Sequence, residues 1–110
     1  MPNQTDYNEF LLLTDLRSGS VKAFEQIFKR HWEPLYRNAR IKLGSHEEAE
    51  EIIQSIFSGL WEKRRTLLIT NLTNYLHTAL RNRILNNIRD KIPQEKYWAY
   101  YKAFIPQQQD

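Results

Sequence analysis

Between Ala49 and Trp61 the apolar residues stand at Ala49, Ile52, Ile53, Ile56, Phe57, Leu60 and Trp61. Steps of three and one alternate, so the pattern repeats every four residues, close to the α-helical period. On a helix they fall on one face, whereas a strand would scatter them to both sides. A stripe this long must be covered by other parts of the chain. Its ends carry helix signals as well. Ser45 and Glu48 have capping-box spacing, and Glu47 and Glu48 suit the positive end of the helix. Lys63, Arg64 and Arg65 suit the negative end.

The rest of the sequence repeats this pattern, and no stretch alternates with period two. "DYNEFLLLTDLRSGS" reads as a short first helix, with Asp6 and Glu9 as its capping box and Gly19 as its stop. Ser20 caps a second helix, with Ala23, Phe24, Ile27, Phe28, Trp32, Leu35, Tyr36 and Ala39 as its apolar stripe. Pro34 lies inside that stripe, removes a backbone donor, and predicts a kink. Gly44 ends the helix. After "TLLITN", Thr70 or Asn71 caps a fourth helix that runs to about Lys91, where Pro93 breaks the pattern. "QEKYWAYYKAF" is a candidate fifth helix before the polar "PQQQD".

These segments predict an all-α fold, a small bundle of four to five helices. The helical domain is expected over residues 1–92, with an aromatic helix and polar tail over 93–110. A chain of 110 residues suffices for one core but not for a deep enzyme cleft besides. No cysteine is present, which excludes disulfides and thiolate chemistry. No apolar run is long enough to span a bilayer, and "MPNQTDYNEF" does not resemble a signal peptide. Cytoplasmic location without membrane insertion is the plain expectation. His31, His46 and His77 fall on different elements without ligand spacing, and no phosphate-binding glycine loop or recognisable acid pair occurs. Neither an enzyme nor a metal or other cofactor is expected.

Charge is segregated. Residues 1–66 carry ten Lys/Arg against ten Asp/Glu, and residues 67–110 carry six against three. The acids bunch in "HEEAEE". Two partner surfaces of opposite sign, or two ordinary solvated faces, would both produce this. On a helical wheel the fourth helix puts Leu72, Leu76, Ala79, Leu80, Ile84 and Ile88 on one side. The other side gathers Asn74, Tyr75, Thr78, Arg81, Asn82 and Arg89, with Leu85 among them. Arginine can meet phosphates, asparagine can pair with a base edge, and an aromatic ring can stack on an unpaired base. The plainer alternative is a solvated face whose Tyr75 packs on a neighbour. The third helix turns out Glu47, Glu51, Gln54, Ser58 and Glu62, with Phe57 and Trp61 toward the edge. That face suits docking of a basic protein helix, or is simply soluble.

From about Phe10 to Lys91 the chain resembles region two of bacterial RNA polymerase sigma factors, most closely the extracytoplasmic-function type. The likeness is carried by Ala23–Phe24, Leu35–Tyr36, "AEEIIQSIF" with Leu60–Trp61, and "NYLHTALRN" from Asn74 to Asn82, all in family order and spacing. It implies that the third helix binds the clamp coiled coil of the core polymerase's largest subunit. Glu51, Gln54, Ser55 and Phe57 are then candidate contacts, with Glu47 and Ser58 at the margin. It also implies that the loop and fourth helix recognise and melt the minus-ten promoter element as single strands. Asn71, Asn74, Tyr75, Thr78, Arg81, Asn82 and Arg89 become candidates for DNA, with Lys63 and Arg64 for phosphates. In the family the loop before that helix receives a flipped-out base, which sets Thr66 to Thr70 beside the pocket. An anti-sigma factor is a further partner of this kind of domain.

The chain also departs from the family. Tyr75 stands where Trp is common, and Glu51 where Asp is common. Too few residues follow Pro93 for a region four. The expectation is therefore either a region two from a longer sigma factor or a stand-alone region two. The latter could compete for polymerase as a negative effector. A helical adaptor without DNA binding is the alternative from another class; it would have little need for Arg81, Arg83 and Arg89 with so few acids between them. In the tail, Tyr97, Tyr101 and Phe104 share a face beside Trp98 and Ile105. Packing on the domain's own core, self-association or another protein contact through residues 94–105, and a linker are the three readings.

Overall fold

The computed structural model describes residues 4–91 and 93–104. They form five helices: α1 Gln4–Arg17, α2 Val21–Leu43, α3 His46–Glu62, α4 Leu72–Arg89 and α5 Gln94–Phe104. No strand occurs among the described residues. Helix α2 is central and packs on α1, α3 and α4; α3 also packs on α4, and α5 on α4.

Local chemistry sets the helix ends. Ser20 Oγ accepts from Ala23 N at 3.0 Å, Ser45 Oγ from Glu48 N at 3.2 Å, and Asn71 Oδ1 from Asn74 N at 2.9 Å. Each bond satisfies one backbone donor that the first helical turn leaves over. Gly44 closes α2 at φ +70°, a left-handed conformation disfavoured for residues with a Cβ. Because Ser45 begins α3 directly after it, α2 and α3 form a tight helical hairpin. Gly19, at φ +96°, turns the chain between α1 and α2.

The core gathers the predicted stripes. Ile27, Ala39, Ala49, Leu60, Leu76 and Ile84 have no exposed surface. Burying a large aliphatic side chain contributes about 1.5–3 kcal/mol. Polar ties cross the helix pairs at the rim. Glu9 of α1 meets His31 Nε2 at 2.8 Å and Arg30 Nη1 at 3.5 Å on α2. Lys91 pairs with Glu48, and Arg83 Nη1 donates to Ser55 Oγ across α3 and α4. Gly59 lies beside this arginine, and a Cβ there would meet Arg83 Nη2 at 3.6 Å, an ordinary contact distance.

Several expectations change in three dimensions. Helix α1 begins at Gln4, so Asp6 lies within it rather than capping it. Glu9 turns to His31 and Arg30 on α2. The capping box of α3 forms only its serine half, because the Glu48 carboxylate reaches Lys91 instead. Phe28 and Trp32, expected in the core, are 37% and 38% exposed. Leu85, placed on the polar side by the wheel, is buried but stands outside the main core cluster.

Candidate nucleic-acid interface and docking face

The segment between α3 and α4 is built by anchoring alternate residues. Lys63 O accepts from Thr66 N at 3.0 Å, Leu67 N at 3.1 Å and Thr66 Oγ1 at 3.2 Å, which tightens the first turn. Leu67 and Ile69 pack on the core, and Leu68 between them is 90% exposed. The chain then enters α4 through the Asn71 cap.

Here α1 and the start of α4 enclose a cleft of about 620 Å³. Residues 69–74 form one wall, and Glu9, Phe10 and Leu13 the other. Phe10 is 72% exposed, so an open aromatic face looks across at Thr70, Thr73 and Asn74. Sequence reasoning did not find Phe10. A large aromatic out of step with its helix's buried Leu12 and Leu16 was the available signal.

Along α4, Asn74, Thr78, Asn82 and Arg89 are exposed, and Arg81 is half-buried. Tyr75 is also half-buried and packs against the core cluster, so only part of its ring can reach a ligand. Asn71 is exposed, but its side-chain oxygen is used by the helix cap. Lys63 is exposed. Arg64 folds back instead: its guanidinium lies 4.0 Å over the Trp61 ring, and its Nη1 donates to Trp61 O at 2.8 Å. It braces the α3 terminus and offers less to a phosphate than a free arginine would. His77, between the exposed positions, has a pKa lowered from the ordinary value by burial and, secondarily, by the nearby His31 charge.

On α3, Glu47, Glu51, Gln54 and Ser58 form an exposed strip. Ser55 is half-buried and accepts from Arg83. Phe57 is a correction. It is 3% exposed, with its ring edge-on to Phe28 at 4.9 Å and Phe24 at 6.4 Å. The wheel put Phe57 at the stripe's margin, but the α2 aromatics close over that margin. Beside the strip lies a mostly apolar groove of about 480 Å³. Phe28, Trp32 and Tyr36 of α2 face His46, Glu50, Ile53 and Gln54 across it. Its far end is fixed by His46, whose Nε2 lies 3.3 Å from Glu50 and whose Nδ1 is hydrogen-bonded to the Tyr36 hydroxyl. With Nε2–H donating to Glu50, Nδ1 is free to accept from that hydroxyl.

Among the described residues, no group of three or more His, Asp or Glu could hold a metal ion, and no helix is long and apolar enough to cross a membrane. On α5, Tyr97 packs against the core cluster while Trp98 is 49% exposed. The expected contribution of Ile105 lies outside the described residues.

Residues 27–92, more than half of the chain, match the family model described as Sigma-70 region 2. The match spans most of α2 and all of α3 and α4, and leaves out α1 and α5. No curated protein and no solved structure matches the chain.

Proposed function

The chain belongs to the sigma-70 region 2 family, and on that premise we propose that it docks on core RNA polymerase through α3 and takes an unpaired base of the minus-ten element in the cleft at the start of α4. We further infer that it is of the extracytoplasmic-function type and works in the cytoplasm, beside the polymerase. The family is a transcription-factor domain and not an enzyme.

The cleft is the observation that carries this reading. It opens where the connecting loop enters α4, and its mixed lining suits a flat aromatic ring with polar edges. Amide and hydroxyl groups of Thr70, Thr73 and Asn74 can meet base edges, and exposed Phe10 can stack on a base face. Asn74, Thr78, Asn82 and Arg89 then carry the strand along α4, with Arg81 and Tyr75 beside them and Lys63 near the entrance. On α3 the contacts are Glu47, Glu51, Gln54 and Ser58, an acidic strip suited to a basic helix. Ser55 supports that strip through Arg83, and Phe57 supports it from the core.

Capture by purified core polymerase, followed by binding of a labelled single-stranded minus-ten oligonucleotide to the captured complex, tests both halves. Glu51→Arg should weaken capture without altering the helical circular-dichroism signal. Asn74→Ala should leave capture intact and lower oligonucleotide binding. Full capture of the Glu51 variant removes the docking assignment, and undiminished oligonucleotide binding by the Asn74 variant removes the cleft.

A further inference from the structure

Helix α5 lies outside the family match and takes no part in the function above. We propose that its exposed side, together with Arg89, is a second binding site for single-stranded nucleic acid, which stacks one base on Trp98 and holds the neighbouring phosphates.

The argument starts from spacing. Gln94, Trp98 and Lys102 recur every four residues and are all exposed, so they form one row on α5. Tyr97 and Tyr101 are half-buried, and Tyr97 packs on the core. The helix thus uses Tyr97 to sit on the domain and leaves the indole half outside. Trp98 is held there by edge contacts to Tyr97 at 5.4 Å and Tyr101 at 5.6 Å. A ring braced by two neighbours and 49% exposed offers a stacking platform that loses little entropy when a base arrives.

The surroundings specify the ligand. Arg89, Gln94, Tyr97 and Trp98 line a cleft of about 340 Å³. Arg89 is exposed at the mouth, and Lys102 is one turn beyond Trp98. Glu95 is the acid on the neighbouring α5 surface. A planar aromatic, an amide and two cations match a base and its phosphates better than an apolar protein helix, which would leave the cations unpaired.

Position links this site to the first. Asn74, Thr78, Asn82 and Arg89 lie on one exposed side of α4, which has 18 residues and is therefore about 27 Å long. A strand leaving the cleft at the start of α4 follows that side toward Arg89 and Trp98. The proposal rests on the first reading for where the strand comes from, but stacking on α5 requires no promoter sequence.

The experiment uses the full chain and a fluorescein-labelled oligothymidylate of about ten nucleotides, followed by anisotropy at low salt. Trp98→Leu should weaken binding by roughly five- to 150-fold, with the helical circular-dichroism signal retained. Trp98→Phe should recover part of that loss. Arg89→Gln should lower the slope of log affinity against log salt by about 0.7. Trp98→Leu should still be captured by core polymerase like the wild type, which separates failure of this site from failure of the first. Absence of binding by the wild type, or equal binding by Trp98→Leu, overturns the proposal. So does light scattering that shows Trp98→Leu abolishing self-association while thymidylate binding persists, because a second copy would then be the occupant.

Discussion

Replacing Phe57 by alanine removes a ring that is 3% exposed and touches two other rings edge-on. Phe→Ala changes in cores typically cost about 3–5 kcal/mol. The lower end applies here, because one of its partners, Phe28, is itself 37% exposed and can settle into part of the space. About 3 kcal/mol is a large share of the 5–15 kcal/mol that holds a domain of ordinary stability. It should lower the melting temperature by about 12 °C or more. Phe57→Leu keeps most of the volume and should cost less than about 1.5 kcal/mol. Urea titrations followed by circular dichroism measure both, with m-values compared to verify that the unfolded states are alike. In the absence of urea each variant should still be mostly folded and still be captured by polymerase. A Phe57→Ala protein of wild-type stability that no longer binds polymerase would refute the assignment of this ring to the core.

Gly44→Ala should destabilise by about 1–2 kcal/mol, since its left-handed φ disfavours a Cβ although nothing lies within 4 Å to clash with one; Gly44→Asn should lose less, and urea midpoints rank the two. Acid should weaken the fold through His77. Its folded pKa is lowered from 6.5, so the unfolded chain takes up the proton first, and stability present above that value is lost as pH falls through it toward the folded pKa. The urea midpoint should therefore drop as pH falls through 6.5 toward the lowered folded pKa, and His77→Gln should flatten part of that drop. If the variant shows the wild-type pH dependence, other groups are responsible.

How far the sequence went can be judged residue by residue. Ser20, Gly44, Ser45 and Asn71 cap their helices as their types and positions predict. The stripe from Ala49 to Leu60 is buried as its period requires. These are local properties: a capping oxygen reaches a donor three residues on, and a 3.6-residue period needs no knowledge of the partner helix. The exposed amides of α4 and the acidic strip of α3 were legible for the same reason.

What the tertiary structure decided concerns the margins of those faces. A wheel assigns a direction, but the packed neighbours determine whether that direction meets solvent. Phe57 points to the edge of its stripe and is buried because α2 supplies aromatic rings there; Phe28 and Trp32, on the stripe of α2, stay partly open beside the same groove. Leu85 is buried on the polar side of α4, which the wheel alone would leave open. The cleft opposite Asn74 exists because α1 sets Phe10 against a loop almost sixty residues away in the chain. Glu48 gives up half of its capping box for Lys91, more than forty residues on. Contacts between distant parts of the chain have no period to read, and they become visible only when the helices are set side by side.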